Sequence, residues 1–364
     1  MTSTSKTGED HDFRKIINES LGIFFKDALE IALRHPSQAV FFLQTIQWQR
    51  EAARLRLKWE CSGVHVPPIL IFSVTNRCNL NCKGCYNEAL RQTSQTEISD
   101  ERLRRVVAEA KELGISFIVL GGGEPLTRPS ILDVARDYPE IMFLIFTNGL
   151  LLNDALLQRM TENRNVVPVV SMEGFRSCTD SRRGAGVYDR ILKSIAKLKD
   201  RGLFWGTSLT LTRLNFDEVT GRSFIKELVD AGCKLFMLVE YTPVKEGTAD
   251  WVLTQEQSSE LIKRRDAFRK EFPALFIALP WDEEEIGGCL SAGRGFIHIS
   301  AEGNVEPCPF VPYSDTNLRD LSLKEALQSK MLRAIRENHD RLQETHGCAL
   351  WVRRDWVRSL SSTK

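Results

Sequence analysis

Three cysteines lie close together between Cys78 and Cys85, with Cys82 between them, in the spacing C-x3-C-x2-C. One short loop therefore carries three thiol groups that can bind the same metal centre. A cubane iron–sulfur cluster that only carries electrons takes four thiolates. Three protein ligands leave one metal position open, and an open position is where a metal can bind a substrate. The loop predicts a cluster that binds a further ligand.

Two simpler interpretations of the loop remain open. Cys82 and Cys85 alone could be half of a zinc site or a redox-active dithiol, because a single C-x-x-C pair is a weak signal. Cys78 fits neither interpretation well. A zinc site would also need a second closely spaced pair of ligands, whereas the later cysteines at 289, 308 and 348 are widely separated.

The composition limits the class of protein. The chain has 364 residues, which suggests about two domains. Its 49 basic and 48 acidic residues give a net charge of +1, so no overall field favours nucleic acid. Nine cysteines follow a polar N-terminus without a secretory pattern, which favours reduced thiols, metal ligation and a cytoplasmic location. No apolar run reaches the roughly 18 residues that span a membrane.

The N-terminal part, residues 13–60, carries apolar side chains at helical spacing and predicts two helices. Pro36 is expected to end the first helix, and Ser37 to cap the second. We expect both helices to pack on the main domain. The alternative is peripheral membrane contact through these helices, because Phe, Trp and Arg are residues that interfacial helices use.

From residue 69 onward, short apolar strands alternate with helices. One helix is predicted to start at Ser99 and to end at Gly114. The six predicted strands are Ile69–Val74, Ile115–Leu120, Ile141–Phe146, Val166–Val170, Thr207–Leu211 and Leu235–Tyr241. This alternation implies right-handed parallel βαβ units, in an open sheet or closed into a barrel.

Polar or glycine-rich motifs directly follow the first four strands. They are the cysteine loop, Gly121–Pro125, Thr147–Gly149 and Ser171–Gly174. The carboxyl ends of parallel strands share one rim, where α/β barrels bind ligands. Each motif alone could be only a turn, but four motifs at one rim predict a site. Glu240 and Tyr241, at the end of the sixth strand, are candidate substrate contacts, although a structural carboxylate explains Glu240 equally well.

Residues from about 285 onward form a different module. Cys289 follows two glycines, Cys308 lies in a hairpin that starts at Phe296, and Cys348 follows a further glycine. A capping box at Ser322 predicts a helix after the hairpin.

With these residues assembled, the chain resembles the radical S-adenosylmethionine (radical SAM) superfamily, followed by a module of the SPASM or twitch kind. The resemblance covers roughly residues 69–350. It implies an α/β fold with a partial (β/α)6 TIM-like barrel at residues 67–283. A helical extension at 1–66 precedes the barrel, and a small α+β auxiliary-cluster module at 284–364 follows it.

The resemblance also implies which residues bind the cofactors. In that family the loop cysteines Cys78, Cys82 and Cys85 bind a [4Fe–4S] cluster, and S-adenosylmethionine binds the open iron. The GGE motif of the family matches Gly122, Gly123 and Glu124, with Glu124 at the methionine ammonium group. The further implied S-adenosylmethionine contacts are Ser171, Glu173, Arg183 and Tyr86.

In two places the chain departs from the family pattern. The family usually has an aromatic residue between the second and third cysteines, near the adenine, whereas this chain has Gly84 there and Tyr86 after the third cysteine. SPASM modules carry more cysteines than Cys289, Cys308 and Cys348. We expect at most one auxiliary cluster, bound by these three and by an open or non-cysteine fourth position. Ordinary buried thiols are the alternative.

The function implied by the resemblance is that of a radical SAM enzyme. A reduced cluster cleaves S-adenosylmethionine, a 5′-deoxyadenosyl radical abstracts substrate hydrogen, and a donor such as flavodoxin or ferredoxin supplies electrons. The first hypothesis is peptide or protein modification or oxidation. The second is a small-molecule enzyme of cofactor, sugar or lipid biosynthesis, since residues 13–60 show no strand pattern for peptide recognition. The third, a non-catalytic zinc or iron–sulfur structural protein, is disfavoured by the complete set of rim motifs.

Overall fold

The computed structural model describes residues 6–33, 36–90, 96–342 and 347–361. The strands are β1 (Ile69–Thr75), β2 (Phe117–Gly122), β3 (Met142–Thr147), β4 (Val166–Met172), β5 (Gly206–Leu211), β6 (Leu235–Glu240), β7 (Leu275–Leu279), β8 (Phe296–Ile299) and β9 (Val305–Glu306). The α-helices are α1 (Lys6–Ala32), α2 (Pro36–Cys61), α3 (Tyr86–Leu90), α4 (Asp100–Leu113), α5 (Ile131–Asp137), α6 (Asp154–Glu162), α7 (Arg176–Arg183), α8 (Val187–Asp200), α9 (Phe216–Val219), α10 (Arg222–Asp230), α11 (Gln255–Glu271), α12 (Trp281–Glu285), α13 (Leu323–Ala326), α14 (Lys330–Glu337), α15 (Ala349–Val352) and α16 (Arg354–Leu360).

The strands form one sheet in the order β7-β6-β5-β4-β3-β2-β1-β8-β9. All neighbouring pairs from β7 to β8 are parallel, and only β8 and β9 are antiparallel. Each crossover from β1 to β7 therefore adds the next strand beside the previous one, as right-handed βαβ units do. This topology confirms the predicted α/β fold with its mostly parallel sheet.

Two strands extend the predicted barrel. β7 follows α11 and pairs with β6, although the sequence predicted no seventh strand. β8 pairs in parallel with β1, with Ile69 opposite Phe296, so the C-terminal module continues the same sheet. The predicted C-terminal hairpin is confirmed, because β8 turns back into β9 with Ile299 opposite Val305.

The predicted helix after the cysteine loop is confirmed at both ends as α4. Ser99 caps it, since its hydroxyl accepts the Arg102 N–H at 3.1 Å. Gly114 ends it in the left-handed conformation, with φ of 89°. This position suits glycine, because a side chain there would strain the backbone.

The two N-terminal helices are present, but the predicted boundary between them was wrong. Pro36 begins α2 rather than ending α1, so Ser37 lies inside the first turn of α2. A proline is tolerated in a first turn because its missing N–H would have no helical partner there. Both helices pack on the barrel: Phe25 of α1 is fully buried 6.0 Å from Phe117, and Arg56 of α2 donates to the Gly114 carbonyl at 2.5 Å. Among the described residues, no helix is long and apolar enough to cross a membrane.

Candidate functional site

The barrel rim and the C-terminal module surround a cavity of about 2420 Å³. Its walls include apolar side chains from the inner face of the sheet, such as Phe117, Leu144 and Met237. Helix α1 lines it as well, through Phe24 and neighbouring residues. Pockets for one small molecule usually measure roughly 300–1,000 Å³, so this cavity has room for a cofactor and a second bulky molecule.

The three loop thiols all line this cavity. Partial desolvation in the cavity raises the pKa of Cys78 and of Cys82, although Cys78 remains exposed, and the charge of Cys85 raises both pKa values further. The loop is also attached to the barrel at β3, because the Asn148 side chain donates to Asn79 Oδ1 at 2.8 Å and lies 4.0 Å from Cys78 Sγ. The three thiols therefore converge on one space with anionic character once they ionise.

Gly122 and Gly123 allow the end of β2 to touch the start of the cysteine loop. A Cβ atom on Gly122 would lie 2.2 Å from the Thr75 carbonyl oxygen, and one on Gly123 would lie 2.1 Å from that of Arg77. Because no side chain intervenes, the Gly123 N–H donates to the Thr75 carbonyl at 2.7 Å, and the Glu124 N–H donates to the Arg77 carbonyl at 2.8 Å. The predicted glycine motif thus fixes the distance between strand and loop.

Glu124 lines the cavity and is only 1% exposed. Its carboxylate accepts the Leu126 N–H at 3.0 Å, the Thr147 hydroxyl at 2.8 Å and the Asn148 N–H at 2.7 Å. Burial raises its pKa, and these three donors oppose that shift. A carboxylate offers about four acceptor positions, so one remains for a cationic group in the cavity.

Two of the other predicted S-adenosylmethionine contacts, Glu173 and Arg183, form an ion pair with each other. Ser171 and Arg183 line the cavity, whereas Glu173, at 1% exposure, lies behind them. The Glu173 carboxylate accepts Arg183 at 2.6 Å and forms an ion pair of 2.6 Å with Arg182. Burial alone would lower the pKa of Arg182, but Glu173 raises it. Glu173 therefore orients two guanidinium groups that face the cavity.

Arg182 was missed by the sequence analysis. It lines the cavity, its Nε donates to the Lys83 carbonyl at 3.1 Å, and its own carbonyl accepts the Lys83 N–H at 2.9 Å. Its guanidinium lies 5.8 Å from the centre of the Tyr241 ring. Its adjacency to Arg183 was the only sequence signal for this role.

The space beside Gly84 is filled by aromatic rings from a distant part of the chain. A Cβ atom on Gly84 would lie 2.7 Å from Tyr241 Oη and 2.8 Å from Trp251 Cζ3. Those two rings pack together with their centres 5.2 Å apart. An aromatic side chain at position 84 would therefore have no room, and Tyr241 and Trp251 supply the ring packing that the loop itself lacks.

Tyr86 lies between the two groups of cysteines. Burial raises its pKa, and the charges of Cys85 and Cys308 raise it further. Its ring packs edge-on against Phe310 with the ring centres 5.2 Å apart. Tyr86 is thus in contact with the C-terminal module as well as with the cavity.

The C-terminal thiols also come together, although they are far apart in sequence. Cys289, Cys308 and Cys348 all line the same cavity as the loop. A hydrogen bond between Cys308 and Cys348 raises the pKa of Cys308 and lowers that of Cys348. Burial, Glu283 and Cys348 raise the pKa of Cys289. All nine cysteines lie in the described ranges and none forms a disulfide.

Two half-buried or buried carboxyl groups accompany the C-terminal thiols. Burial raises the pKa of Glu240 to about 7, and its Oε2 atom has no hydrogen-bond partner among the described residues. Burial also raises the pKa of Glu283 to about 7, while the hydrogen bond from Leu290 N–H and the charge of Arg294 oppose the shift. Glu283 was missed by the sequence analysis.

The two cysteine groups suit iron–sulfur clusters better than a single metal ion. Within the described parts of the chain, no three His, Cys, Asp or Glu side chains surround a point that could hold one metal ion. The cysteines of a cubane cluster bind different iron atoms, so they stand further apart than the ligands of a single ion. Two groups of three unpaired thiols facing one cavity fit clusters in their chemistry.

Comparison with known proteins decides the family. The model of the radical SAM superfamily matches residues 72–221, and that of the SPASM iron–sulfur cluster-binding domain matches residues 289–349. The chain belongs to the radical SAM superfamily. Its cofactors are accordingly S-adenosylmethionine and iron–sulfur clusters.

Three known proteins similar to this radical SAM enzyme differ in what their names describe. The AdoMet-dependent heme synthase of Methanosarcina barkeri is 26% identical over 301 residues, covering 75% of this chain and 86% of that protein. The antilisterial bacteriocin subtilosin biosynthesis protein AlbA of Bacillus subtilis is 26% identical over 279 residues, covering 74% and 61%. The structure of Streptococcus suis SuiB bound to the precursor peptide SuiA matches with a TM-score of 0.59 at 19% identity, over 80% of this chain and 71% of SuiB. The last likeness shows the fold.

Proposed function

We propose that this radical SAM enzyme oxidises an organic substrate held in the shared cavity. Cys78, Cys82 and Cys85 would bind the cluster that meets S-adenosylmethionine. The three C-terminal thiols would bind a second cluster. The observation that carries the proposal is that both cysteine groups line one cavity and that Tyr86 interacts with a cysteine of each.

When bound, the first cluster and S-adenosylmethionine supply a radical that removes a substrate hydrogen, and the second cluster supplies an electron acceptor. The protein's own side chains position the cofactor. The free acceptor position of Glu124 suits the methionine ammonium group, and the Arg183 guanidinium suits the carboxylate. Ser171 adds a hydroxyl on the same wall. The apolar side chains of the barrel wall would exclude water from the reaction site.

A peptide or protein is the first proposed substrate class. The volume of the cavity, about 2420 Å³, leaves room for a peptide segment beside the cofactor. The fold is shared with SuiB, whose structure contains a precursor peptide, and the sequence is similar to AlbA, a bacteriocin biosynthesis protein. Flavodoxin or ferredoxin would supply the reducing electron.

A bulky small molecule is the second candidate, and one observation favours it. The heme synthase of M. barkeri aligns over 86% of its own length with this chain, compared with 61% for AlbA. The described residues of the N-terminal region form helices α1 and α2 and contain no strand. That region therefore offers no strand edge for β-augmentation by a peptide.

Iron analysis and a product assay test the proposal. Anaerobically reconstituted protein should hold about eight irons per chain, and Ala substitution of either cysteine triple should leave about four. Only the variant with Ala at the three loop cysteines should fail to form 5′-deoxyadenosine from S-adenosylmethionine when dithionite is the reductant. A loop triple that retains this activity would overturn the proposal.

The same assay separates the two substrate classes. Extract from a host cell should stimulate 5′-deoxyadenosine formation when it contains the substrate. Loss of this stimulation after protease treatment of the extract supports a peptide. Stimulation that survives protease and passes a dialysis membrane supports a small molecule.

A further inference from the structure

One buried carboxylate oxygen at the shared cavity has no hydrogen-bond partner in the described part of the chain. It is Oε2 of Glu240, the last residue of β6, which is only 7% exposed. Glu240 lines the cavity, so this oxygen lies beside open space rather than inside the packed core. Buried polar atoms are nearly always hydrogen-bonded, and an exception beside a cavity indicates a partner that the fold does not supply.

Glu240 lies between the two cysteine groups. On one side, a Cβ atom on Gly347, the neighbour of Cys348, would lie 3.3 Å from Glu240 Oε2. On the other side, the next residue, Tyr241, packs against the cysteine loop, where a Cβ atom on Gly84 would lie 2.7 Å from Tyr241 Oη. A substrate that reacts beside the loop and passes an electron to the C-terminal group has to occupy this part of the cavity.

The charges around the cavity favour a cationic partner for this oxygen. Acidic side chains outnumber basic ones among the lining residues, and the guanidinium groups of Arg182 and Arg183 are already paired with Glu173. Glu173 also has one oxygen without a hydrogen bond, but its two ion pairs compensate its charge and it does not line the cavity. A buried carboxylate without such compensation is costly, so the cation for Glu240 has to arrive with the substrate.

We infer that Glu240 binds an amino group of the substrate. The inference rests on the proposed function and adds one chemical feature of the substrate to it. An ammonium group is a compact charge that donates single N–H bonds, which suits one free oxygen, whereas a guanidinium group binds both oxygens of a carboxylate. Although burial raises the pKa of the free carboxyl to about 7, an ammonium group beside it lowers that pKa and favours the carboxylate.

The experiment measures the amount of host-cell extract that gives half-maximal stimulation of 5′-deoxyadenosine formation, with S-adenosylmethionine and dithionite present. Glu240→Gln keeps the size of the side chain and one oxygen acceptor but removes the charge. Glu284→Gln is the matched control, because it removes one charge from the same cavity at an exposed position. Iron analysis and circular dichroism check that both variants are loaded and folded.

The extract is used in three forms: untreated, acetylated so that its amines lose their charge, and reductively methylated so that its amines keep their charge. The protease and dialysis treatments described above then show whether the amino group belongs to a peptide or to a small molecule.

Glu240→Gln should need roughly tenfold more untreated extract than the wild type, because a hydrogen bond between two charged groups is lost. Glu284→Gln should need the same amount as the wild type. Acetylation should raise the amount that the wild type needs by a similar factor, whereas methylation should not. For Glu240→Gln, acetylation should make little further difference, because the charge that it removes no longer has a carboxylate partner.

Four results would overturn the inference. Glu240→Gln with the wild-type requirement would remove Glu240 from the substrate site, and Glu284→Gln as weak as Glu240→Gln would show a general effect of cavity charge. Acetylated extract as effective as untreated extract on the wild type would remove the amino group. An equal loss on acetylation for wild type and Glu240→Gln would place the amino group elsewhere in the cavity. A wild type that holds no iron, or forms no 5′-deoxyadenosine with any extract, would instead overturn the proposed function and the inference with it.

Discussion

The two cysteine groups face the same cavity but are built in different ways. The loop group spans eight residues, and Cys78 is exposed. The C-terminal group joins three separate segments, and Cys308 is only 5% exposed within the main hydrophobic core. The loop group therefore depends on local chain geometry, whereas the C-terminal group depends on the folded module.

The side chains around the two cysteine groups also differ. Beside the loop lie groups with capacity for a further ligand, namely Glu124 and the guanidinium groups of Arg182 and Arg183. Beside the C-terminal group lies Glu283, whose Oε2 accepts the N–H of Leu290, the residue after Cys289, at 3.2 Å. The first arrangement suits a cluster that stays open to S-adenosylmethionine. The second group lies in the folded core, which suits the electron-transfer cluster proposed above.

The largest effect is expected at Glu124, which connects the loop side of the comparison to the barrel. Glu124→Ala leaves three donors without their acceptor: Leu126 N–H, the Thr147 hydroxyl and Asn148 N–H. Each unsatisfied buried group costs about 1–3 kcal/mol. Because water can enter from the cavity, we expect the free energy of unfolding to fall by about 3–5 kcal/mol in all. Urea unfolding of the cluster-free protein measures it.

Glu124→Gln is the control for that variant, since it retains one oxygen acceptor. Its loss of stability should fall between the wild type and Glu124→Ala. Equal stability of Glu124→Ala and wild type would show that this carboxylate does not hold the ends of β2 and β3 together.

The free energy of unfolding should depend on pH through the buried carboxyl of Glu240, which lies next to the C-terminal cysteine group. A Cβ atom on Gly347, the neighbour of Cys348, would lie 3.3 Å from Glu240 Oε2. Because the folded pKa is raised from 4.5 to about 7, the neutral form is favoured in the folded state. Its contribution to stability is complete below pH 4.5 and is lost as the pH rises through about 7.

Glu240→Gln should therefore match the wild type below pH 4.5 and exceed its stability above pH 7, by up to about 3 kcal/mol. Urea unfolding of cluster-free protein across this range is the measurement. Glu246→Gln, at an exposed position on the following segment, should change little at any pH. Parallel pH profiles for Glu240→Gln and wild type would contradict the burial of this carboxyl.

The sequence predicted well those features that depend on residues close together in the chain. The alternating strands, the caps of α4 and the C-terminal hairpin were all predicted, because each depends on residues close together in the chain. β7 was missed, since a short apolar run such as Leu275–Leu279 has no periodicity that separates a strand from a buried helical turn.

The missed site residues have a common physical cause. Glu283 belongs to the acidic run Asp282–Glu285, which in sequence resembles a solvated helix face. In the folded protein its Oε2 instead accepts the Leu290 N–H, beside Cys289. Trp251 is likewise far in sequence from Gly84, and its packing against the loop follows from the path of the chain after β6. Contacts of this range carry no local pattern.

Gly84 tests how far the loop depends on that distant packing. Gly84→Ala introduces a Cβ atom 2.7 Å from Tyr241 Oη and 2.8 Å from Trp251 Cζ3, at a backbone φ of +67°. Gly186→Ala is the matched control, with φ of +76° but no atom within 4 Å of the new Cβ. Both should lose about 1 kcal/mol of unfolding free energy from the left-handed backbone.

Gly84→Ala should lose about 1–3 kcal/mol more than the control, because the rings must move. It should also hold fewer irons at the loop after reconstitution. Equal losses for the two variants would mean that Tyr241 and Trp251 adapt freely and do not support the loop.

The smallest expected effect compares single cysteines of the two groups directly. In cluster-free protein, Cys308→Ala removes a sulfur from the core and its hydrogen bond to Cys348, and should lower the free energy of unfolding by about 1 kcal/mol. Cys78→Ala, at an exposed position, should stay within about 0.5 kcal/mol of the wild type. Urea unfolding under reducing conditions gives both values. If the two variants lost equal stability, the loop would be as much a part of the folded core as the C-terminal module. An unchanged Cys308→Ala would instead mean that the module is held together by its cluster, because its thiols then add nothing to the fold until iron binds.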